Sequence, residues 1–212
     1  MLKPFLFVAL TLAPLLSGCG LFSGEDDPFD IVFREEVPIE FTIDAANFCP
    51  TTVDCNAAAG PSPDRIVLPD FEVAIPIDVL AATGSSQLSE VSQRLKSVEV
   101  EKVQYTYAGN TLNIETPKIA LYVGGANVTT HTKGVLIVDV PTAKAGENST
   151  GTATVEAANM SKSSDILKSL QLSMIPFMQP AAIEKGQPSP PKGSADVKLV
   201  MTLKFVANPT EL

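Results

Sequence analysis

The sequence contains no tryptophan and only one histidine, so two side chains that often serve stacking and acid–base catalysis are nearly absent. The histidine, His131, stands in the polar stretch 127–133. We expect it to be an exposed loop residue rather than a metal ligand or a general base. The motifs GxSxG, HExxH and GxGxxG and the Walker loop are also missing. We therefore predict that the protein is not an enzyme and has no catalytic residues, no metal site and no cofactor.

Positive charge is also scarce. Lysine and arginine number 15 against 24 acidic residues, the formal net charge is −9, and the basic residues do not cluster. Nucleic-acid binding relies on clustered basic side chains that neutralise phosphates, so such a partner is disfavoured. Carboxylate pairs such as Glu35 with Glu36 or Glu99 with Glu101 could flank a glycosidic bond. On alternating strands, however, Glu99 and Glu101 share a solvent face, and we interpret them in that way.

The longest apolar run lies at the start of the chain. Residues 1–18 place Lys3 before an apolar stretch at 5–16 and the small residues Ser17 and Gly18 after it. This order is typical of an export signal peptide, and the run is shorter than the about 20 residues that a spanning helix needs. We predict that residues 1–18 are a signal peptide and take no part in the fold.

The sequence Leu16-Ser17-Gly18-Cys19 resembles the lipobox of bacterial lipoproteins. The resemblance implies cleavage before Cys19 and lipidation of this cysteine with diacylglycerol and a further acyl chain such as palmitate, which would hold the protein on a membrane. In enteric-type Gram-negative lipoproteins an aspartate after the lipidated cysteine retains the protein in the inner membrane. Gly20 stands there instead, which implies an outer-membrane location in the cell envelope, on either face. A Gram-positive source would place the protein on the outside of the plasma membrane.

Residues 20–30 are acidic and contain glycine, as a solvated tether does. Their carboxylates lack the alternating spacing and the glycine of a calcium loop. We therefore expect three regions, which are the signal peptide 1–18, the acylated cysteine with its tether 19–30, and a single β-sandwich domain 31–212.

Two cysteines remain once Cys19 carries lipid. Cys49 and Cys55 are separated by five residues, and in the oxidising cell envelope a close pair of this kind is typical of a disulfide. The spacing is not the CxxC of a redox or metal site, and the one histidine is far away in the sequence. A ring of this size stabilises by about 2 to 2.5 kcal/mol in the loop-entropy model, so we expect the disulfide to fix a local loop.

Alternation of apolar and polar residues dominates the rest of the sequence and predicts strands with one buried face. Proline cannot donate a ladder hydrogen bond, so Pro38 and Pro76 predict edge strands, strand ends or bulges. The strands are expected at the following positions: 37–43, 71–79, 134–140, 151–157, 170–178 and 196–205.

Two further strand-like runs, joined by a turn-rich link at 108–111, change phase partway. The changes fall near Glu101-Lys102 and near Pro117. A shift by one residue turns the buried face over, so we expect a bulge at each place. The turn-rich link predicts that 98–123 forms one hairpin.

Short helices are predicted at 85–95 and 161–170, where aliphatic residues recur at helical spacing after serines that can cap a first turn. The segment 184–193 is rich in proline and glycine and is expected to connect the strands of a second long hairpin. Together these patterns predict a mainly β fold, an antiparallel β-sandwich of Ig-like or Greek-key type with two short helices.

The leading functional hypothesis is a membrane-anchored, non-enzymatic binding or structural module whose loops bind an envelope protein or glycan. The alternative is a carrier of lipid or another hydrophobic ligand in an apolar cavity. This alternative draws on flexible side chains that suit adaptable pockets, those of Met160, Met174, Met178 and Met201. The simpler interpretation is that these methionines fill an ordinary core.

Overall fold

A computed structural model describes residues 30–208 of the chain. The predicted signal peptide, Cys19 and nearly all of the tether lie outside the described residues. The strands are β1 Ile31–Asp44, β2 Gly60–Pro61, β3 Phe71–Glu72, β4 Ile75–Asp78, β5 Leu95–Ala108, β6 Lys118–Gly125, β7 Val135–Val140, β8 Ser149–Val155, β9 Gln171–Gln179, β10 Pro188–Ser189 and β11 Ser194–Ala207. The helices are α1 Val79–Thr83, α2 Ser86–Val91 and α3 Met160–Leu167, with 3-10 turns at Ala45–Phe48, Ser92–Arg94, His131–Lys133 and Ala157–Asn159.

Nine strands form one curled antiparallel sheet in the order β1-β11-β5-β8-β7-β6-β9-β3, and β4 pairs with β9 beside β3. Strand β8 joins the two halves of this sheet, because Ala153 pairs with Val103 of β5 while Val155 pairs with Val138 of β7. The pair β2–β10 is separate. The predicted fold class, a mainly antiparallel β fold with short helices, is confirmed, although the helices number three rather than two among residues 30–208.

The inward faces of the sheet meet in one hydrophobic core, as the period-two patterns require. Phe205 of β11 stacks on Phe33 of β1 with ring centroids 5.2 Å apart. Three of the four methionines considered for a carrier cavity are packed in this core with at most 1% exposure: Met174, Met178 and Met201.

The prolines lie at positions where strand pairing does not need a backbone N–H donor. Pro38 is in β1 and Pro76 is in β4, and both strands are at edges of the sheet, as predicted. Pro176 lies in β9, between the residues that pair with β4 and those that pair with β3. The break between these two short strands therefore coincides with the proline that interrupts the ladder.

One of the two predicted bulges is confirmed. In the pairing of β11 with β5, Thr202 lies opposite Lys102 and Leu203 opposite Val100, so Glu101 is the extra residue. The bulge directs the Glu101 carboxylate to Arg34, which donates two hydrogen bonds at 2.6 and 2.8 Å. Near Pro117 there is no bulge, because β6 begins only after it.

Both predicted hairpins are wrong. Strand β5 pairs with β11 and β8, whereas β6 pairs with β7 and β9, so 109–117 crosses between the halves of the sheet. The segment 184–193 crosses back in the same way, between β9 and β11. Side-chain hydrogen bonds to backbone hold both crossings in irregular conformations that compete with strand pairing. The predicted strand 71–79 is instead the two short strands β3 and β4, and it ends at Asp78, which caps helix α1 by accepting from Ala81 N at 3.0 Å.

The elements divide between two ends of the fold. Ile31 pairs with Ala207, so both ends of the described chain meet at one end, which we call the terminal end and which also carries the three helices. The 14 residues of β1 lead from there over roughly 45 Å to Asp44 at the distal end. Four long connections lie at the distal end, and we call them L1 (45–70), L2 (109–117), L3 (141–148) and L4 (180–193).

Candidate binding surface at the distal end

Asn110 joins L2 to L3. Its side-chain Nδ2 donates to the carbonyls of Lys144, at 3.1 Å, and Glu147, at 2.8 Å. Its Oδ1 accepts from the backbone N–H of Leu112 at 3.1 Å, and its own backbone N–H donates to Asn148 Oδ1 at 3.1 Å. Because Asn110 is buried, these bonds are shielded from water and fix the two loops relative to each other.

Asn113 joins L2 to L4 in a similar way. Its Nδ2 donates to the carbonyl of Pro190 at 3.0 Å, and its Oδ1 accepts from the N–H of Lys192 at 2.7 Å. Beside it, Thr111 N donates to the carbonyl of Ser194 at 2.8 Å and Thr111 Oγ1 accepts from Ser194 N at 3.0 Å. The side chains of Asn110 and Asn113 thus connect L2 to L3 and L4, and Thr111 connects it to the start of β11.

Buried residues with hydroxyl groups form hydrogen bonds with the backbone of L3. Thr116 N donates to the carbonyl of Ala143 at 2.9 Å, and Ala143 N donates to Thr116 Oγ1 at 2.7 Å. The Tyr107 hydroxyl donates to the carbonyl of Pro141 at 3.1 Å. Burial raises the pKa of the Tyr107 phenol far above its ordinary value, although a hydrogen bond with Thr116 acts in the opposite direction. The phenol therefore remains a neutral donor under L3.

Backbone pairing joins L1 to L4. Ser62 N donates to the carbonyl of Gln187, and Gly186 N donates to the carbonyl of Ser62, both at 2.8 Å. Ile66 and Ile183 exchange two backbone hydrogen bonds of 2.8 and 2.9 Å. All four distal loops are therefore connected by hydrogen bonds of defined geometry.

Cys49 and Cys55 form a disulfide within L1, with their Cα atoms 6.1 Å apart. Lys192 of L4 donates from Nζ to the carbonyl of Cys55 at 2.5 Å. Before the disulfide, Phe48 is buried and packs edge-on against Phe71 with centroids 6.1 Å apart. The disulfide thus closes a small ring that lies between a core aromatic residue and L4.

A groove of about 390 Å³ opens between L2, L3 and L4. On one wall the Glu115 carboxylate accepts a short hydrogen bond from Thr142 Oγ1. On another wall the Lys144 side chain is exposed, and no carboxylate among residues 30–208 forms an ion pair with it. The residues that line the groove are mostly small or apolar: Asn113, Ile114, Glu115, Lys144, Ala145, Ala181, Ala182, Ile183, Gln187 and Pro188.

None of the groove residues was a candidate in the sequence. The groove depends on which strands pair and where their ladder ends, and neither is visible in a local pattern. The one available signal is a proline beside each of two strands, Pro117 and Pro180, but its meaning requires the pairing of β6 with β9.

His131 is not the exposed loop residue that we expected. Its side chain is 27% exposed, and its ring stacks on Phe177 with centroids 3.9 Å apart and lies 5.4 Å from the ring of Tyr122. Its Nδ1 and its backbone N–H lie 2.7 and 2.9 Å from Glu72 Oε2. Partial burial acts to raise the pKa of the Glu72 carboxyl, but the hydrogen bonds from His131 outweigh it, so this pKa lies below its ordinary value. The contact fastens the 3-10 turn 131–133 to the outer face of β9 and β3.

The described residues contain no group of three or more histidine, cysteine, aspartate or glutamate side chains arranged to hold a metal ion. Within 30–208, no helix has the length and apolar character needed to cross a membrane. The lipidation site expected at Cys19 lies outside these residues.

No protein-family model matches the chain, and no curated protein matches it either. Among solved structures, the decameric BFDV capsid protein aligns over 83% of this chain and 98% of its own, with 9% identity and a TM-score of 0.34. The mud crab tombus-like virus structure covers 99% of this chain and 94% of its own at 10% identity, with a TM-score of 0.33. Desmodium yellow mottle tymovirus covers 100% and 99% at 10% identity, with a TM-score of 0.26. No conclusion about function rests on similarities of this size.

Proposed function

We propose that the protein is a lipid-anchored lipoprotein of the bacterial cell envelope that uses its distal loops to bind an envelope protein or glycan, without catalysing a reaction. The observation that carries this proposal is the separation of the two ends. Strand β1 begins at Ile31, while the hydrogen-bonded loops and their groove lie at its other end.

The lipobox sequence supports the orientation of the protein. If Cys19 is acylated, the 11 residues that lead to Asp30 span at most about 40 Å. Asp30 itself is fixed, because its carboxylate is nearly buried and accepts from Lys96 Nζ at 2.5 Å. The anchor would therefore attach the protein to the bilayer through its terminal end, opposite the distal loops.

The order of the distal loops supports binding. Binding costs free energy whenever a loop must be immobilised, and loops that are already fixed avoid this cost. Asn110, Asn113 and Thr116 hold L2, L3 and L4 with hydrogen bonds to backbone groups. Among residues 30–208, no buried side-chain polar atom lacks a hydrogen-bond partner. Because the loops carry their own internal bonds, a partner can be recognised by a surface that exists before it arrives.

The carrier alternative gains no specific support. Of the methionines that suggested it, Met174, Met178 and Met201 pack in the core. Met160 is half-buried at the start of α3.

Lipid anchoring is tested by mass and location. Full-length protein purified from the membranes of the producing bacterium should begin at an acylated Cys19, with the mass of diacylglycerol and an additional acyl chain. The Cys19→Ser variant should lose these masses and leave the membrane fraction. An unacylated N-terminus at another residue would overturn the anchoring proposal.

Binding is tested with a photoreactive amino acid placed in the membrane-bound protein. Position Gln187, exposed in L4, probes the distal end, and position Lys162, exposed on α3, is the control at the terminal end. We expect a discrete cross-linked protein or glycan from position 187 and not from position 162. Cross-links from position 162 alone, or none at position 187, would refute distal binding. A hydrolase activity of the purified protein that one point mutation abolishes would refute the non-enzymatic part.

A further inference from the structure

The groove lies where strands β6 and β9 separate, at a place that we call the fork. The antiparallel ladder of these strands ends where Lys118 pairs with Gln179. The next two residues in register are Pro117 and Pro180, and neither has an N–H group to continue the ladder. The chains separate at these prolines, since the Thr116 N–H donates to the carbonyl of Ala143 and Thr116 Oγ1 accepts from Ala143 N, which ties this residue to L3 instead of to L4.

Beyond the fork, both chains carry unpaired backbone groups. Within residues 30–208, no protein group forms a hydrogen bond with the backbone N–H or C=O of Ile114, Glu115, Ala181 or Ala182. All four residues line the groove. Two stretches of backbone without a hydrogen-bond partner among the described residues thus border one groove, just beyond the last pair of the β6–β9 ladder.

Resting on the binding function proposed above, we propose that this groove takes an extended peptide segment of the partner, which pairs as a strand with the free backbone of 114–115 or 181–182. Addition of a strand to an exposed sheet edge is a general mode of peptide recognition, in which main-chain hydrogen bonds give affinity and side-chain pockets give specificity. The occupant continues the interrupted ladder between L2 and L4.

The groove also specifies the side chains of the peptide. Ala145, Ala181 and Ala182 present small apolar side chains to the groove. The Lys144 ammonium group, which forms no ion pair among residues 30–208, is the cation that an aspartate or glutamate of the peptide would meet. Glu115 accepts a hydrogen bond from Thr142 but keeps its negative charge, so the carboxylate of the peptide would lie on the Lys144 side of the groove. The expected ligand is therefore an extended segment with at least one carboxylate and no proline at its centre.

Strand β1 is a long edge strand of the sheet, but it is less suited to pairing with a peptide. Pro38 removes a donor from its centre, and Arg34, Glu36 and Glu40 place charges along it. Charged residues and proline are the features by which natural edge strands avoid pairing with other chains. The fork between Pro117 and Pro180 has no charged residue on the L4 side at 180–183.

The probe for this proposal is a random dodecapeptide library displayed on phage, selected against the full-length acylated protein in detergent micelles. The same library is selected in parallel on the Ala182→Arg variant, whose side chain fills the groove. Peptides enriched on the first protein alone are synthesised, and their affinities are measured for the native protein and for Lys144→Glu. Lys185→Glu, an equal charge change at an exposed position of L4 outside the groove lining, is the matched control.

We expect the enriched peptides to carry an acidic residue and to lack a central proline. Lys144→Glu should weaken their binding about five- to tenfold and Lys185→Glu by less than about twofold, because partly exposed ion pairs are worth little more than 1 kcal/mol. A saturating peptide should slow hydrogen exchange of the amides at 114–115 or 181–182 on the order of tenfold, since these amides become hydrogen-bonded.

Three results would overturn the peptide proposal. They are the absence of peptides specific to the open groove, equal effects of Lys144→Glu and Lys185→Glu, and binding that leaves exchange at both segments unchanged. If Ala182→Arg unfolds the protein, the two lysine variants and the exchange data decide the matter. If peptides fail while cross-links still form at position 187, the binding function stands and only its peptide chemistry is refuted.

Discussion

Replacing Asn110 by alanine tests whether hydrogen bonds of one side chain hold the distal loops. The substitution removes two bonds donated by Nδ2, to Lys144 and Glu147, and one accepted by Oδ1, from Leu112. With about 1 kcal/mol for each net hydrogen bond, the free energy of unfolding should fall by about 3 kcal/mol. At about 2–4 °C per kcal/mol for a chain of this size, the midpoint of thermal unfolding should fall by about 6–12 °C.

The assay is thermal unfolding of the full-length protein in detergent, followed by far-UV circular dichroism. Asn148→Ala is the matched control, because the exposed Asn148 side chain accepts one hydrogen bond, from Asn110 N. It should cost about 1 kcal/mol or less. If Asn110→Ala lowers stability no more than Asn148→Ala does, the side chain of Asn110 does not connect L2 to L3 in the way described here.

Three further predictions concern the loops and the sheet edge. Gly193→Ala should destabilise the protein by at least about 2 kcal/mol, because φ is +90° at this glycine and a Cβ atom would meet the backbone of L2; an unchanged denaturation midpoint would contradict this. Replacing Cys49 and Cys55 together by serine should cost about 2.4 kcal/mol in urea unfolding and leave the sheet intact, and loss of the far-UV β signal would contradict the local role. Glu72→Gln should destabilise at neutral pH. The lowered pKa of Glu72 implies a contribution to stability that is present above the ordinary pKa of the carboxyl and is lost as the pH falls through its folded-state value. The difference in unfolding free energy between the variant and the native protein should therefore shrink in acid. A difference that does not depend on pH would show that the charge of Glu72 does not contribute.

The strands and their buried faces could be predicted because they depend on local alternation. The run from Val197 to Phe205 places every second side chain in the core, and the phase change near Glu101 marks a real bulge. Both features follow from the two-residue period of a pleated strand. The edge positions of Pro38 and Pro76 follow from the missing N–H group in the same local way.

The strand partners could not be predicted, because they are far apart in the sequence. β1 pairs with β11 at the other end of the described chain, and β5 pairs with β11 and β8, so long-range pairs replace the local hairpins that turn-rich links suggested. The contact of His131 with Glu72, 59 residues earlier, was missed for the same reason. Predicting the groove would require the strand pairing itself, since Pro117 and Pro180 become neighbours in register only after β6 has paired with β9.

The long pairing of β1 with β11 also determines how the fold would carry a mechanical load. A partner held at the distal loops would pull in one direction while the tether at Ile31 pulls in the other. The force would then act along β1, and ladder hydrogen bonds lie across the strands. Fourteen residue pairs would be sheared together rather than opened one after another. The edge strand next to the proposed anchor is therefore arranged to resist extraction of the tether from the fold.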